Sequence, residues 1–295
     1  MELRQLQYFQ MVCRLNSITQ AAKKLYVTQP SITNSIKNLE KELSIVLFDR
    51  SKKQLFPTTE GKVFLKRVDE ILRQVDNATS EMNDYQNLKT GVLTIGIPPM
   101  IGTFVFPKIF IDFKKLYPNM KLNITEYGSV TTKQMIEKGE LDLGLIIIDS
   151  PNKLLSSLSI LNSELFVCLK KEHPLSKRST ITFKDIKDEP VILLKEGFYI
   201  RQKVLESFNE FNIQPNIILS SNQLETIKGL ITNGIGISFL MKEVVEDNKK
   251  IAKIPLSTAI PLEISLVWKK DRYLSNASKA FIDFLNTNPI APHKS

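Results

Sequence analysis

The chain has 295 residues, enough for about two domains and a connector, and carries 40 Lys and Arg against 31 Asp and Glu, a net charge of +9. The excess is local: residues 1–67 hold twelve basic and five acidic side chains, a charge of +7 that leaves +2 for the rest of the chain, which points to a nucleic-acid partner. No apolar run approaches about eighteen residues and no long basic amphipathic helix is present, which argues against a membrane partner.

The first residues alternate polar and apolar at a helical period rather than forming a signal peptide, so a cytoplasmic location is expected. Cys13 and Cys168 each sit among apolar neighbours and read as small core residues, not as a disulfide, metal or redox pair. His173 precedes Pro174-Leu175 in an expected turn and His293 lies in the tail, so neither supports a metal site.

Residues 16–40 read as two short amphipathic helices joined by a tight turn. Ser17 suits the N-cap of the first, and Ala21 and Ala22 are small enough to let a second helix cross closely. Thr28 caps the second, which starts at residue 29 with Pro30 in its first turn, where a missing N–H costs nothing. Ile32, Ile36, Leu39 and Leu43 form its buried stripe. Gln29, Ser31, Thr33 and Asn34 lie off that stripe and can bond base edges, while Lys37 suits a phosphate. The cap residues Ser17 and Thr28 are counted with them as expected DNA contacts. Residues 47–61 then read as two short strands around a basic tip, a wing that brings Arg50, Lys52 and Lys53 to a phosphate or the minor groove.

The ordered set Leu6, Phe9, Ala21-Ala22, Thr28-Gln29-Pro30-Ser31, Leu39-Glu40, Leu47-Phe48-Asp49-Arg50 and Thr58-Thr59-Glu60-Gly61 resembles the winged helix-turn-helix of LysR-type transcriptional regulators. Two positions depart from that pattern: Ser44 replaces the usual Gly, and Thr33 the usual Ser. Next, Phe64, Val68, Ile71, Val75, Ala78, Met82 and Tyr85 are spaced alternately four and three apart, the seam of a coiled coil, with Leu65 and Leu72 left to pack on the domain itself. A linker helix pairing with a second copy is expected, as in the family, since two recognition helices one turn apart read an inverted repeat.

From residue 92 strands and helices alternate. Strands are expected at 92–97, 122–125, 141–147, 165–169, 191–194, 217–219, 235–239 and 262–268, and helices at 104–116, 132–137, 199–211, 224–232 and 275–285. The alternation implies a mostly parallel sheet with helices on both faces. Two such lobes resemble the effector-binding domain of the same family and the periplasmic binding proteins. The expected organisation is α/β overall. A winged helix-turn-helix spans 1–61 and a linker/dimerisation helix 62–90. A two-lobed effector-binding domain spans 91–295, with lobe I at 91–161 and 266–295, lobe II at 162–265, and crossovers near Leu161-Asn162 and Ile264-Ser265.

Ligands of open α/β sheets lie at strand carboxyl ends beside helix N-termini. That rule selects Gly102 and Thr103 after the first strand, Ser129 after the second, and Phe198, Arg201 and Ser221 from the second lobe. Thr103 and Ser129 are favoured, and Arg201 would suit an anionic effector. No nucleophile elbow, phosphate-binding glycine loop or metal cluster supports an enzyme, and no cofactor beyond the effector is expected. The resemblance implies a transcription factor with double-stranded promoter DNA, a small-molecule effector, a second or further copies of itself (homodimer or homotetramer) and RNA polymerase as partners. The alternative is an effector-independent DNA-binding repressor or architectural protein.

Overall fold

The computed structural model describes residues 1–49, 55–86, 91–148 and 152–289. They form two compact units, Met1–Gln86 and Asn87–Ser295.

Unit 1 opens with α1 (Leu3–Leu15), α2 (Ile18–Leu25) and α3 (Gln29–Leu43). Ser17 caps α2 by accepting from the Gln20 N–H, and Thr28 caps α3 by accepting from the Ser31 N–H. Ala21 and Ala22 are buried between the helices, and Ile32, Ile36 and Leu39 face a core with Leu6, Phe9 and Val12. All three helices end in left-handed residues, at Asn16, Tyr26 and Ser44. Ser44 therefore keeps the helix end expected of Gly, at the conformational cost an L side chain carries there.

The short antiparallel strands β1 (Phe48–Asp49) and β2 (Phe56–Pro57) form the base of the wing. Phe9 holds them to the helices, with its ring 5.3 Å from that of Phe48 and 5.2 Å from that of Phe64. The wing tip, including Arg50, Lys52 and Lys53, lies outside the described residues.

The long helix α4 (Thr59–Gln86) divides the expected seam. Phe64 and Val68 pack into the unit's own core with Leu65 and Leu72, whereas Ile71, Ala78 and Met82 are exposed and Val75 half-buried. An α-helix drifts about 20° per heptad against a 3.5-residue repeat. The first turns can thus face the core and the later ones leave it. The side chain of Tyr85 lies outside the described residues.

Unit 2 runs β3 (Val92–Gly96), α5 (Pro99–Phe104), α6 (Phe106–Leu116), β4 (Lys121–Thr125), α7 (Ser129–Lys138), β5 (Leu143–Ile148) and β6 (Leu155–Lys170). It continues with β7 (Pro190–Leu194), α8 (Tyr199–Glu210), β8 (Asn216–Ser221), α9 (Leu224–Thr232), β9 (Ser238–Met241), β10 (Ile251–Pro255), β11 (Pro261–Lys269) and α10 (Asn276–Thr287).

The main sheet has the order β10-β6-β11-β5-β3-β4, with β9 also paired to β6. It is mixed rather than mostly parallel: β3 pairs in parallel with β4 and β5, but β11 runs antiparallel to β5 and β6, as do β9 and β10 to β6. The reason is β6, a 16-residue strand that serves both lobes. Its first part, Leu155 to Glu164, pairs with β11, and from Leu165 it pairs with β9 and β10. β6 changes partners between Glu164 and Leu165, and the expected crossovers near Leu161-Asn162 and Ile264-Ser265 lie inside the β6–β11 ladder. A bulge at Ile160 opposite Ile264/Ser265 marks that inner position. Parallel β7 and β8 extend lobe II through Ile237, whose N–H donates to Pro190 O while its carbonyl accepts from Ile192 N–H, each at 2.8 Å.

The expected helix at 104–116 is α6, which starts at Phe106; α5 precedes it where no helix is expected, and the two break at Val105. Pro107 lacks an N–H and its ring clashes with the carbonyl four residues back, so α5 cannot run on into α6. The serine-rich first part of β6 and all of β10 have no counterpart among the expected strands, and β9 starts at Ser238 instead of residue 235. Rings of Phe281 and Phe284 pack edge-on to Phe113 in lobe I, and Phe183, Phe208 and Phe239 cluster in lobe II.

Candidate nucleic-acid interface and interlobe cleft

On α3 the side chains of Gln29, Ser31, Asn34 and Lys37 are exposed, as is the cap Thr28. Thr33 is half-buried and its hydroxyl donates to the Gln29 carbonyl at 3.0 Å, so that donor is already used within the helix. The Gln29 amide donates to the Thr19 hydroxyl, which orients it against α2. Ser17 is half-buried in its capping role. Thr28 to Lys37 thus form one polar surface on the N-terminal part of α3, with exposed Lys23 and Lys24 nearby in sequence.

Two supporting residues escape the sequence argument. Thr19 holds Gln29, and Glu40 accepts hydrogen bonds from the Leu47 and Phe48 N–H groups at 2.9 and 3.3 Å. Glu40 thereby joins the far end of the recognition helix to the first wing strand. The open groove of about 1010 Å³ beside it is lined by Glu40, Asp49, Glu60 and Lys62 with the wing-base residues Phe56 and Pro57.

In unit 2, Ser129 and Phe198 meet. They line a cavity of about 10 Å³ between the lobes, closed by Met100, Ile101 and Ile147 from one side and Leu194 and Ile200 from the other. Ser129 is buried at the first position of α7, and its hydroxyl accepts from the Ile147 N–H at 3.1 Å. Beside it, the Val130 N–H donates across the cleft to the Gly197 carbonyl at 3.2 Å. The approach is close because both loops carry glycine. A Cβ on Gly128 would lie 2.2 Å from the Gly197 oxygen, and Gly197 itself takes a left-handed φ of 87°.

The other expected cleft residues do not line that cavity. Thr103 is exposed and lines a separate open groove of about 630 Å³ with Lys228, Glu243, Asp247 and Lys250, and its hydroxyl donates to the Met100 carbonyl. Gly102 lies within α5, where an added Cβ would meet only Ile97, so no close approach explains it. Arg201 donates to the Leu194 carbonyl and the Ser220 hydroxyl, at 2.9 and 3.0 Å, tying α8 to β7 and β8. Ser221 accepts from the Gln223 N–H in the turn before α9.

Burial pushes both thiols up, to about 12 for Cys13, where Asp69 adds to the shift, and to about 12 for Cys168. At neutral pH their reactive thiolate is scarce, so neither should label with iodoacetamide until the chain unfolds. A thiol count of two in the native protein at pH 7 would contradict this. Among the described residues no group of three His, Cys, Asp or Glu side chains could hold a metal, and no helix is long and apolar enough to cross a membrane.

Family models match both units. Residues 3–62 match the bacterial regulatory helix-turn-helix protein, lysR family, and residues 86–289 match the LysR substrate binding domain. The chain belongs to the LysR family of transcriptional regulators. It is 34% identical over 297 residues to the uncharacterized HTH-type transcriptional regulator YwbI of Bacillus subtilis (strain 168), covering 100% of this chain and 99% of that one. In fold it is similar to full-length CbnR complexed with its target DNA, at a TM-score of 0.59 and 20% identity, over 97% of this chain and 99% of CbnR. It is also similar to the effector binding domain of QuiR in complex with shikimate, at a TM-score of 0.59 and 23% identity, over 66% of this chain and 95% of that domain.

The protein is thus a LysR-type, DNA-binding transcriptional regulator with a winged helix-turn-helix and a two-lobed effector-binding domain. A purely architectural DNA-binding protein would have no use for that second domain.

Proposed function

We propose that this regulator reads an inverted repeat in promoter DNA as a two-fold dimer that assembles further into a homotetramer. A small anionic effector entering between the lobes of unit 2 changes the spacing of the recognition helices on that DNA. Gln29, Ser31, Thr33 and Asn34 read base edges; Lys37, with Arg50, Lys52 and Lys53, contacts phosphates. The exposed apolar edge of α4 from Ile71 to Met82 supports pairing with a second copy. The regulator acts in the cytoplasm, contacts RNA polymerase, and performs no catalysis.

One observation carries the effector reading: the Val130 N–H, in the first turn of α7, donates to the Gly197 carbonyl of the opposite lobe. A helix N-terminus offers free N–H donors and the positive end of the helix dipole, so a carboxylate oxygen can take the place of that carbonyl. A cavity of about 10 Å³ holds at most a single water, so the effector binds an arrangement in which the lobes have parted. Its differential affinity for parted and closed lobes then shifts their populations.

Thermal melting of the full chain against a panel of small carboxylates tests this. An acid at a hundred times its Kd stabilises the bound state by about 2.7 kcal/mol and raises the melting temperature. A panel in which no acid shifts the melt, or in which neutral analogues act equally, would reject an anionic effector. On DNA, Gln29→Ala and Thr33→Ala are expected to relax sequence preference. Lys37→Ala should weaken all sequences alike and lower the salt slope of log K by about 1. Fluorescence anisotropy on a selected operator and a scrambled duplex, at two salt concentrations, separates the two outcomes.

A further inference from the structure

The turn between α2 and α3 carries a side chain that the fold itself does not use. Tyr26 closes α2 in the left-handed region, at φ 55° and ψ 42°, with its N–H bonded to the carbonyls of Ala22 and Lys23. Residues with a Cβ are disfavoured there, and Gly or Asn is the usual occupant, as Asn16 is at the end of α1. The Tyr26 side chain is also 96% exposed, the most exposed large apolar side chain among the described residues. Its ring therefore offsets neither the backbone conformation nor the aromatic surface it leaves in water.

Its surroundings name the partner. Lys23 and Lys24 precede it, exposed in the last turn of α2, and the exposed Thr28, Gln29 and Ser31 follow it at the start of α3. When a recognition helix enters a groove by its N-terminal residues, the short turn that leads into it, here Tyr26 to Thr28, passes the groove edge, where a sugar–phosphate strand runs. Tyrosine supplies the two groups such a strand can use: an apolar face for a deoxyribose and an O–H donor for a phosphate oxygen.

We propose that Tyr26 is a DNA-backbone contact, its ring packed on a sugar and its phenol O–H donating to a phosphate beside the groove that α3 enters. The inference rests on unit 1 being the DNA reader. The contact carries no charge and touches no base. It should add affinity equally on every sequence and leave the salt slope alone.

Tyr26→Asn and Tyr26→Phe in the full chain test this by anisotropy, on an operator selected by the wild type and on a scrambled duplex, at two salt concentrations. Tyr26→Asn should weaken both duplexes by about tenfold with an unchanged salt slope, and Tyr26→Phe by about threefold through loss of the O–H donor alone. Because asparagine accepts the left-handed conformation, the melting temperature of Tyr26→Asn should match or exceed that of the wild type. Affinity equal to wild type, a loss confined to the operator, or a loss accompanied by a lower melting temperature would each overturn the assignment. Failure of the wild type to retain any duplex would overturn DNA reading by unit 1 and the role of Tyr26 together.

Discussion

Gly128→Ala should hold the lobes of unit 2 apart. The new Cβ would lie 2.2 Å from the Gly197 oxygen, 2.6 Å from its carbonyl carbon and 2.8 Å from the Phe198 Cα, all of them backbone atoms with no rotamer to give way. A carbon that near an oxygen is about 1 Å inside van der Waals contact. The backbone at Gly128 is ordinary, at φ −64° and ψ 156°, so alanine fits the loop itself and costs only about 1 kcal/mol as a poorer N-cap of α7. The fold should therefore survive while closure fails. Both native thiols being buried, spin labels attach selectively at Lys138→Cys in lobe I and Lys187→Cys in lobe II, two exposed positions. The variant should show a longer mean label distance and no further change with an acid that lengthens it in the wild type. An unchanged distance distribution would remove the Val130–Gly197 contact from the mechanism.

Gly61→Ala should push the start of the wing off the first turn of α4. A Cβ there would lie 2.2 Å from the Leu47 carbonyl oxygen, which itself accepts from the Thr58 N–H at 3.0 Å. Thr58 completes the junction: its hydroxyl donates to the Val46 carbonyl and accepts from the Gly61 N–H, at 2.8 and 2.9 Å. Residues 46–47 thus sit directly on the first turn of α4, and only a residue without a Cβ leaves room. Overpacking of this kind against backbone costs about 3 kcal/mol. In an 86-residue unit that lowers the melting temperature by roughly 10 °C or more. The fraction of chain competent to hold operator DNA, followed against temperature, should lose its midpoint by that amount. A wild-type midpoint would show that the chain can shift at Leu47 at no cost.

How far the sequence reveals these features depends on how local their causes are. Ser17, Thr28 and Pro30 act within one helical turn, so their capping roles are readable from residue order alone. Ser44 and Tyr26 adopt the conformation expected of glycine because the helix–turn path requires it, and nothing in their chemistry announces it. The heptad pattern from Phe64 is real, but periodicity alone does not say which turns an adjoining core claims. In unit 2 the first part of β6 is rich in serine and becomes a strand through its ladder with β11, a partner about a hundred residues away in sequence. The rule that ligands sit at strand ends gathers Ser129 and Phe198. It does not separate them from Thr103, because which loops share a cavity is decided by how α5, α7 and α8 pack. Gly197 lies in the loop that contributes Phe198, yet the hydrogen bond that makes it important becomes visible only when the two lobes are placed together.

The most direct test of the two-fold reader is the affinity of the full chain for a selected inverted repeat whose geometry is altered while its bases are kept. Insertion of about five base pairs between the half-sites puts them on opposite faces of the duplex, and insertion of about ten restores the face. The five-base-pair insertion should weaken binding as much as destroying one half-site, on the order of a hundredfold, and the ten-base-pair insertion should recover part of that loss. Equal affinity for the intact repeat, the five-base-pair insertion and a single half-site would contradict recognition by a paired set of α3 helices.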